Sequence, residues 1–308
     1  MSFTAIANAV PDEYRAVGGS NTGLGNAASV GSSGVAAVVL NPAMIALEKT
    51  YHVAAGYTWP TSGRNFYQAG IVDGKTSGVS AGVIYTGFHD KFVADSFLYD
   101  ELDSPIERRG ILALSSMFAN VAVGISGHYI EGYQFAPAVA GLFGLREAGH
   151  AYQDTSFKKV RGLTVGGGVA IALLPTLRLG ASVLNLANRK MKDFAPRTLR
   201  AGMAYDVIEE LSLHLDYEER EATTLFTGTT NNLSQRMLTA SASLLVYDMV
   251  RLQCAYGHNI RTALGSDGEI AGGLALASDK VSLSYGLKKS LLASDIQHSV
   301  NLGFSVAI

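Results

Sequence analysis

The stretch Gly162-Leu-Thr-Val-Gly-Gly-Gly-Val-Ala-Ile-Ala-Leu173 decides the fold. Leu163, Val165, Gly167, Val169, Ile171 and Leu173 fall on one face, and Thr164, Gly166, Gly168, Ala170 and Ala172 on the other. A two-residue period sends successive side chains to opposite sides of a strand. The same beat runs from about Tyr51 to Ile308 without a helical period. A sheet that long must hide its edges. In lipid it does so by closing into a barrel, because every backbone donor and acceptor has to be paired internally.

Composition agrees. Of 308 residues, 48% are apolar and only 16% charged, where a soluble domain carries about a quarter charged. No apolar run approaches the ~20 residues of a membrane helix. The longest, Gly34 to Leu47, is interrupted by Asn41-Pro42. Low charge without a spanning helix fits an outer-membrane barrel, whose apolar band occupies alternate positions; the soluble alternative is a Gly-rich β-sandwich. The 34 Gly against 7 Pro fit strands with crowded interiors. A net charge of -2 and the lack of a basic stripe give no nucleic-acid partner. Cys254, the single cysteine, excludes an internal disulfide and any CxxC motif, and reads as a small apolar residue at an outward position. The N-terminus has no basic region or apolar core of a full signal peptide. Ala7-Asn8-Ala9 has the small-x-small form of a cleavage site, so the expectation is a mature or trimmed chain whose native gene encodes a leader.

Residues 1–50 are rich in Gly, Asn, Ser and Ala and do not alternate. From Tyr51 the pattern predicts fourteen strands, at 51–59, 64–73, 77–88, 108–118, 120–131, 161–174, 176–187, 197–207, 210–220, 235–246, 249–259, 268–277, 280–288 and 297–308. Connections after even-numbered strands are short, such as Ala119 and Leu174-Pro-Thr176. Those after odd-numbered strands are mostly long: 89–107, 132–160, 188–196, 221–234, 260–267 and 289–296. Bacterial barrels have short periplasmic turns and longer external loops, so both termini are expected in the periplasm. A sandwich gives no reason for this rhythm.

The faces follow from the same parity. Val53, Tyr57, Trp59, Ile125, Tyr129, Leu163, Val165, Leu215, Leu252, Tyr256 and Tyr285 are predicted to face outward, with aromatic girdles near strand ends. Thr58, Gly82, Ser126, His128, Thr164, Ser182, Gln253 and Ser284 are predicted to face inward. Arg178, Arg200 and Arg251 then oppose His214, Asp216 and Glu218 in a charged layer. It is read first as charge pairing that rigidifies the lumen, and second as a substrate path.

The N-terminal stretch reads Tyr14-Arg-Ala-Val-Gly-Gly-Ser-Asn-Thr-Gly-Leu-Gly-Asn-Ala-Ala28, then Gly34-Val-Ala-Ala-Val-Val-Leu-Asn-Pro-Ala43. It resembles the start of the FadL-like superfamily of outer-membrane proteins, which includes long-chain fatty-acid transporters, and of its PorV-like branch associated with type IX secretion. The positions that carry the likeness are Arg15, Gly18, Gly19, Gly25 and Asn41-Pro42-Ala43. Leu177 to Ala187, Pro196 to Tyr205 and Val250 to Gly257 resemble further family strands, with Cys254-Ala255 where the family has Gly. The resemblance implies a 14-stranded antiparallel transmembrane β-barrel in the outer membrane of a Gram-negative bacterium, with residues 1–50 as a plug and 51–308 as the wall. The residues allow such a plug. Small side chains let its backbone approach the wall, Gly permits positive φ, and Asn and Ser can satisfy backbone groups in irregular structure. Asn41-Pro42 is expected to turn the chain into the wall.

Other motifs carry little chemistry. Gly23-Leu-Gly-Asn-Ala-Ala28 fits a dinucleotide fingerprint, but no strand precedes it. Asn232-Leu-Ser234 is formally a glycosylation acceptor, which means little in a bacterial outer membrane. The seven His show no ligand spacing. No catalytic residue, metal site or cofactor is expected. The apolar run Phe135-Ala-Pro-Ala-Val-Ala-Gly-Leu-Phe-Gly-Leu145 lies in a loop predicted to face outside, where an apolar patch marks a binding surface. Phe135, Val139, Leu142 and Phe143 are therefore the expected capture residues for a hydrophobic small molecule such as a fatty acid. The same loop, 132–160, is the expected docking point if a protein partner exists, or it dips into the outer leaflet. Gating is expected at Arg15, Gly18, Gly19, Gly25, Asn41 and Pro42. Two functions follow: passive uptake of hydrophobic small molecules, or a PorV-like scaffold that transports nothing and belongs to an envelope or secretion complex.

Overall fold

The computed structural model describes residues 22–25, 29–61, 64–90, 107–135, 157–187, 195–223, 232–247, 249–261, 268–278, 280–291 and 296–306. Among the described residues, helices α1 (Val35–Leu40) and α2 (Met44–Glu48) precede the strands. These are β1 (Tyr51–Pro60), β2 (Arg64–Asp73), β3 (Val79–Asp90), β4 (Glu107–Phe118), β5 (Val121–Phe135), β6 (Phe157–Leu174), β7 (Leu177–Leu184), β8 (Thr198–Ile208), β9 (Leu211–Thr223), β10 (Asn232–Val246), β11 (Val250–Arg261), β12 (Gly268–Ala277), β13 (Val281–Ser290) and β14 (Ile296–Val306). Each strand pairs with its sequence neighbours, and β1 pairs antiparallel with β14 from Tyr51↔Val306 to Pro60↔Gln297. The sheet is a closed barrel of 14 strands, as the alternating pattern requires.

Strand ends differ from the expectation where local chemistry intervenes. β7 stops at Leu184 because Asn185 turns the chain with φ 59, its Nδ2 donating to the Pro196 carbonyl at 3.0 Å. β3 starts only at Val79, because Asp73 accepts the N–H groups of Lys75 and Thr76 (3.0 and 2.9 Å) and tightens the turn before it. β5 and β6 extend further than expected. Phe135, expected in the loop, is instead the last rung of β5, paired with Phe157.

Alternation separates two environments. Leu163 is 74% exposed while Thr164 beside it is 3% exposed, and every outward assignment above falls on the outer face. An apolar surface that runs right round a closed wall is satisfied by lipid, not water. Tyr57, Tyr67, Tyr129, Tyr217 and Tyr256 ring the wall toward the long-loop end, and Phe118, Tyr205, Tyr247 and Phe304 toward the short-turn end. These are the girdles of a membrane barrel. No helix among the described residues is long and apolar enough to span a membrane.

Inside, the described part of the N-terminal segment crosses the lumen. Helix α1 is apolar on all sides, since it is buried on all sides: Val35, Ala36, Ala37, Val38 and Leu40 are at most 3% exposed. Val38, Met44 and Ile45 form one core with Ala54, Val72, Ile84, Ile111, Ala113, Ala122 and Ala170 from the inner faces of β1 to β6. Small inward residues make the room. A Cβ on Gly82 would come within 2.5 Å of Val38, and one on Gly124 within 2.5 Å of the backbone of Pro42 and Ala43. Asn41-Pro42 does not lead directly into the wall as expected: the chain makes α2 first, and Lys49, with φ 50, turns it into β1.

Candidate functional site: the lumen and its inner segment

Asn41 is a hub of the segment. Its Nδ2 donates to the Ser29 carbonyl at 2.8 Å and to the Val169 carbonyl of β6 at 3.3 Å, while Oδ1 accepts the Ala43 N–H at 3.1 Å. Ser182 of β7 donates to the Leu40 carbonyl at 2.7 Å. These bonds satisfy irregular backbone that the barrel has removed from water. Pro42 packs at Gly124 of β5. Gly25 has φ 60, and a Cβ there would meet Ala255 at 2.9 Å, so both conformation and space call for glycine. Arg15, Gly18 and Gly19 lie outside the described residues.

The far side of the lumen is polar. The Ser29 N–H donates to Asp216 Oδ1 at 2.8 Å, and its hydroxyl donates to the same oxygen. A Cβ on Gly31 would meet His214 Nδ1 at 2.5 Å, so His214 abuts the segment. Arg200 pairs with Glu218 (Nε to Oε2, 2.9 Å). Arg178 pairs with Asp206 (3.1 Å), which also accepts from Ser212 at 2.6 Å. Arg251 is on the inner face but exposed at the short-turn mouth. Thus the six residues read as one layer are divided: two bear on the segment, two pair with each other, and two lie lower. Asp206 went unnoticed in the sequence, although parity and the short 209–210 turn put it on the inner face of β8, one step from Arg178.

Farther up, Glu107 and Arg109 pair on the inner face of β4, with the guanidinium 5.6 Å from the Phe88 ring centroid. Phe66 and Phe88 form an apolar patch with centroids 4.8 Å apart. Lys288 pairs with Glu269 at 3.7 Å. Ser126 Oγ lies 2.8 Å from His128 Nε2, but the charged neighbour of His128 is Arg109, not the acid that would orient a catalytic imidazole. No group of three His, Cys, Asp or Glu among the described residues could hold a metal. Val139, Leu142 and Phe143 lie outside the described residues, and of Phe135 only the backbone is described.

Glu48 is a titratable group on the segment and not on a strand. Burial pushes the Glu48 carboxyl up to about 7, although it accepts the Gly34 N–H at 3.0 Å and feels Arg178.

No known protein-family model and no curated protein sequence matches the chain. Solved structures do. The CymD monoaromatic hydrocarbon channel matches with a TM-score of 0.62 and 11% identity, covering 94% of this chain and 96% of that one. The Pseudomonas putida toluene transporter TodX matches with a TM-score of 0.58 and 11% identity, covering 97% and 98%. The Ralstonia pickettii toluene transporter TbuX matches with 0.56 and 14%, covering 95% and 98%. At such identities the likeness is one of fold, and it is the fold that the FadL resemblance implies.

Proposed function

We propose that this protein is a passive outer-membrane channel for hydrophobic small molecules in a Gram-negative bacterium, with its long loops outside and both termini in the periplasm. One observation carries the reading: a closed wall surrounds a lumen crossed by the chain's own N-terminal segment, in the fold of hydrocarbon channels. The apolar run that follows Phe135, with Val139, Leu142 and Phe143, captures the ligand at the outer mouth. Residues 22–48 then act as the gate, with Gly25, Asn41 and Pro42 fixing its closed path. Every strand is hydrogen-bonded to both its neighbours, and release is assigned to the short-turn end past this segment. The solved structures above give the scaffold alternative no support, and no catalytic step belongs to this reading.

The test is uptake by proteoliposomes. Labelled fatty acid or toluene should enter faster than into protein-free vesicles, and Phe143→Asp should lower the rate several-fold. Equal rates with and without protein would sink the proposal.

A further inference from the structure

The polar half of the lumen is unexplained by a ligand that is only hydrocarbon. Next to Gly25 of the segment lies a small cavity lined by Arg200, Asp216, Glu218, Met237 and Thr239. It has room for about one water-sized group. The Arg200 side chain is 3% exposed, and Asp216 is 7% exposed. Arg200 spends Nε on Glu218, and its Nη1 has no hydrogen-bond partner among the described residues. Asp216 gives Oδ1 to Ser29, and its Oδ2 likewise has no partner. The register sets Arg200 opposite Glu218 and Gly202 opposite Asp216, so one donor and one acceptor from adjacent strands line the same cavity.

We infer that this cavity is a subsite for the single hydroxyl group of an otherwise apolar ligand, a phenol or an alcohol. A hydroxyl both accepts and donates through one small atom, so it can accept from Arg200 Nη1 and donate to Asp216 Oδ2. A carboxylate would satisfy Arg200 but confront the charges of Asp216 and Glu218. An ammonium would confront Arg200. A bare hydrocarbon would displace any water and leave both buried atoms unmet, which a polar site resists strongly. A hydroxyl instead reproduces the bonds of the water it displaces. Gly25 and Met237 line the same cavity, and the Met237 thioether gives it an adaptable apolar wall. The inference rests on the uptake reading, whose ligand class it narrows.

The test compares toluene, 4-methylphenol and 4-methylanisole, which share a ring and differ in the oxygen. Binding to the purified protein in detergent is measured by calorimetry, and uptake by proteoliposomes. 4-Methylphenol should bind at least about tenfold more tightly than toluene. 4-Methylanisole, which accepts but cannot donate, should lose most of that gain; this comparison needs no variant. The double variant Arg200→Gln with Glu218→Gln removes both charges together and should abolish the preference. Its heat-modifiable gel mobility verifies the barrel. Equal binding of all three compounds, or a preference that survives the double variant, overturns the subsite even if uptake is fast. A hydroxyl preference that the double variant abolishes, without uptake of any compound, upholds the subsite and overturns the channel.

Discussion

The two halves of the lumen hold the same segment by opposite means. Against β1 to β6, α1 and α2 are packed by Val38, Met44 and Ile45 onto Ala and Gly of the wall. Against β8 and β9, the loop at Ser29 to Gly31 is held by Asp216 and His214, beside the Arg200–Glu218 pair. Dispersion and apolar burial are cumulative and do not depend on one bond, so the first half works as an anchor. A hydrogen bond to one carboxylate is local, and a competing polar group can replace it. On the proposed gating role, the segment stays attached on one side and yields on the other.

The strongest way to break this comparison is to charge the anchor. Ile45→Asp puts an uncompensated carboxylate among Val38 and Ile84 and should cost about 3–5 kcal/mol of segment docking, read as the urea midpoint at which protease cuts the segment. If it costs no more than a change at Ser29, the asymmetry is wrong. A second contrast uses glycine. Gly124→Ala drives a methyl against the backbone of Pro42 and Ala43, which cannot move alone, and should cost about 1–3 kcal/mol. At Gly202 the new methyl meets the ends of Ser29 and Asp216. Because those ends rotate aside, Gly202→Ala should move the same midpoint less.

Ser29→Ala removes one of two bonds to Asp216 and should weaken docking by about 1 kcal/mol, with raised ion leakage across planar bilayers as the functional readout. The smallest effect is one of pH. The Glu48 carboxyl stands at about 7 in the docked segment against an ordinary 4.5, so docking binds a proton. Its contribution is full below about 4.5 and is lost as the pH rises to about 7. The urea midpoint should therefore fall between pH 5 and pH 8, and Glu48→Gln should flatten that change.

Much of this was legible in the residues. Leu163 beside Thr164, and Leu215 beside Asp216, show their faces by parity alone, because a strand has only two faces. The alternation of short and long connections shows where the strands turn. The site was less legible. Arg200 and Glu218 belong visibly to the inner face, but their contact needs the register of β8 on β9. Ser29 offers no pattern of its own. Its role exists only because the segment brings it 187 positions along the chain to Asp216. The helices were missed because six and five residues are too few to display a helical period.

The sequence by itself determined the closed barrel, the strand number and the side on which each residue stands, since these follow from a period of two and the need to pair every backbone group. Only the tertiary structure decided which inward residues meet. The path of the N-terminal segment obeys no period; it follows the space left by Gly82, Gly124, Gly168 and Gly180 and the few polar atoms that hold it. That space is a property of fourteen strands together, so no stretch such as Gly162 to Leu173 contains it.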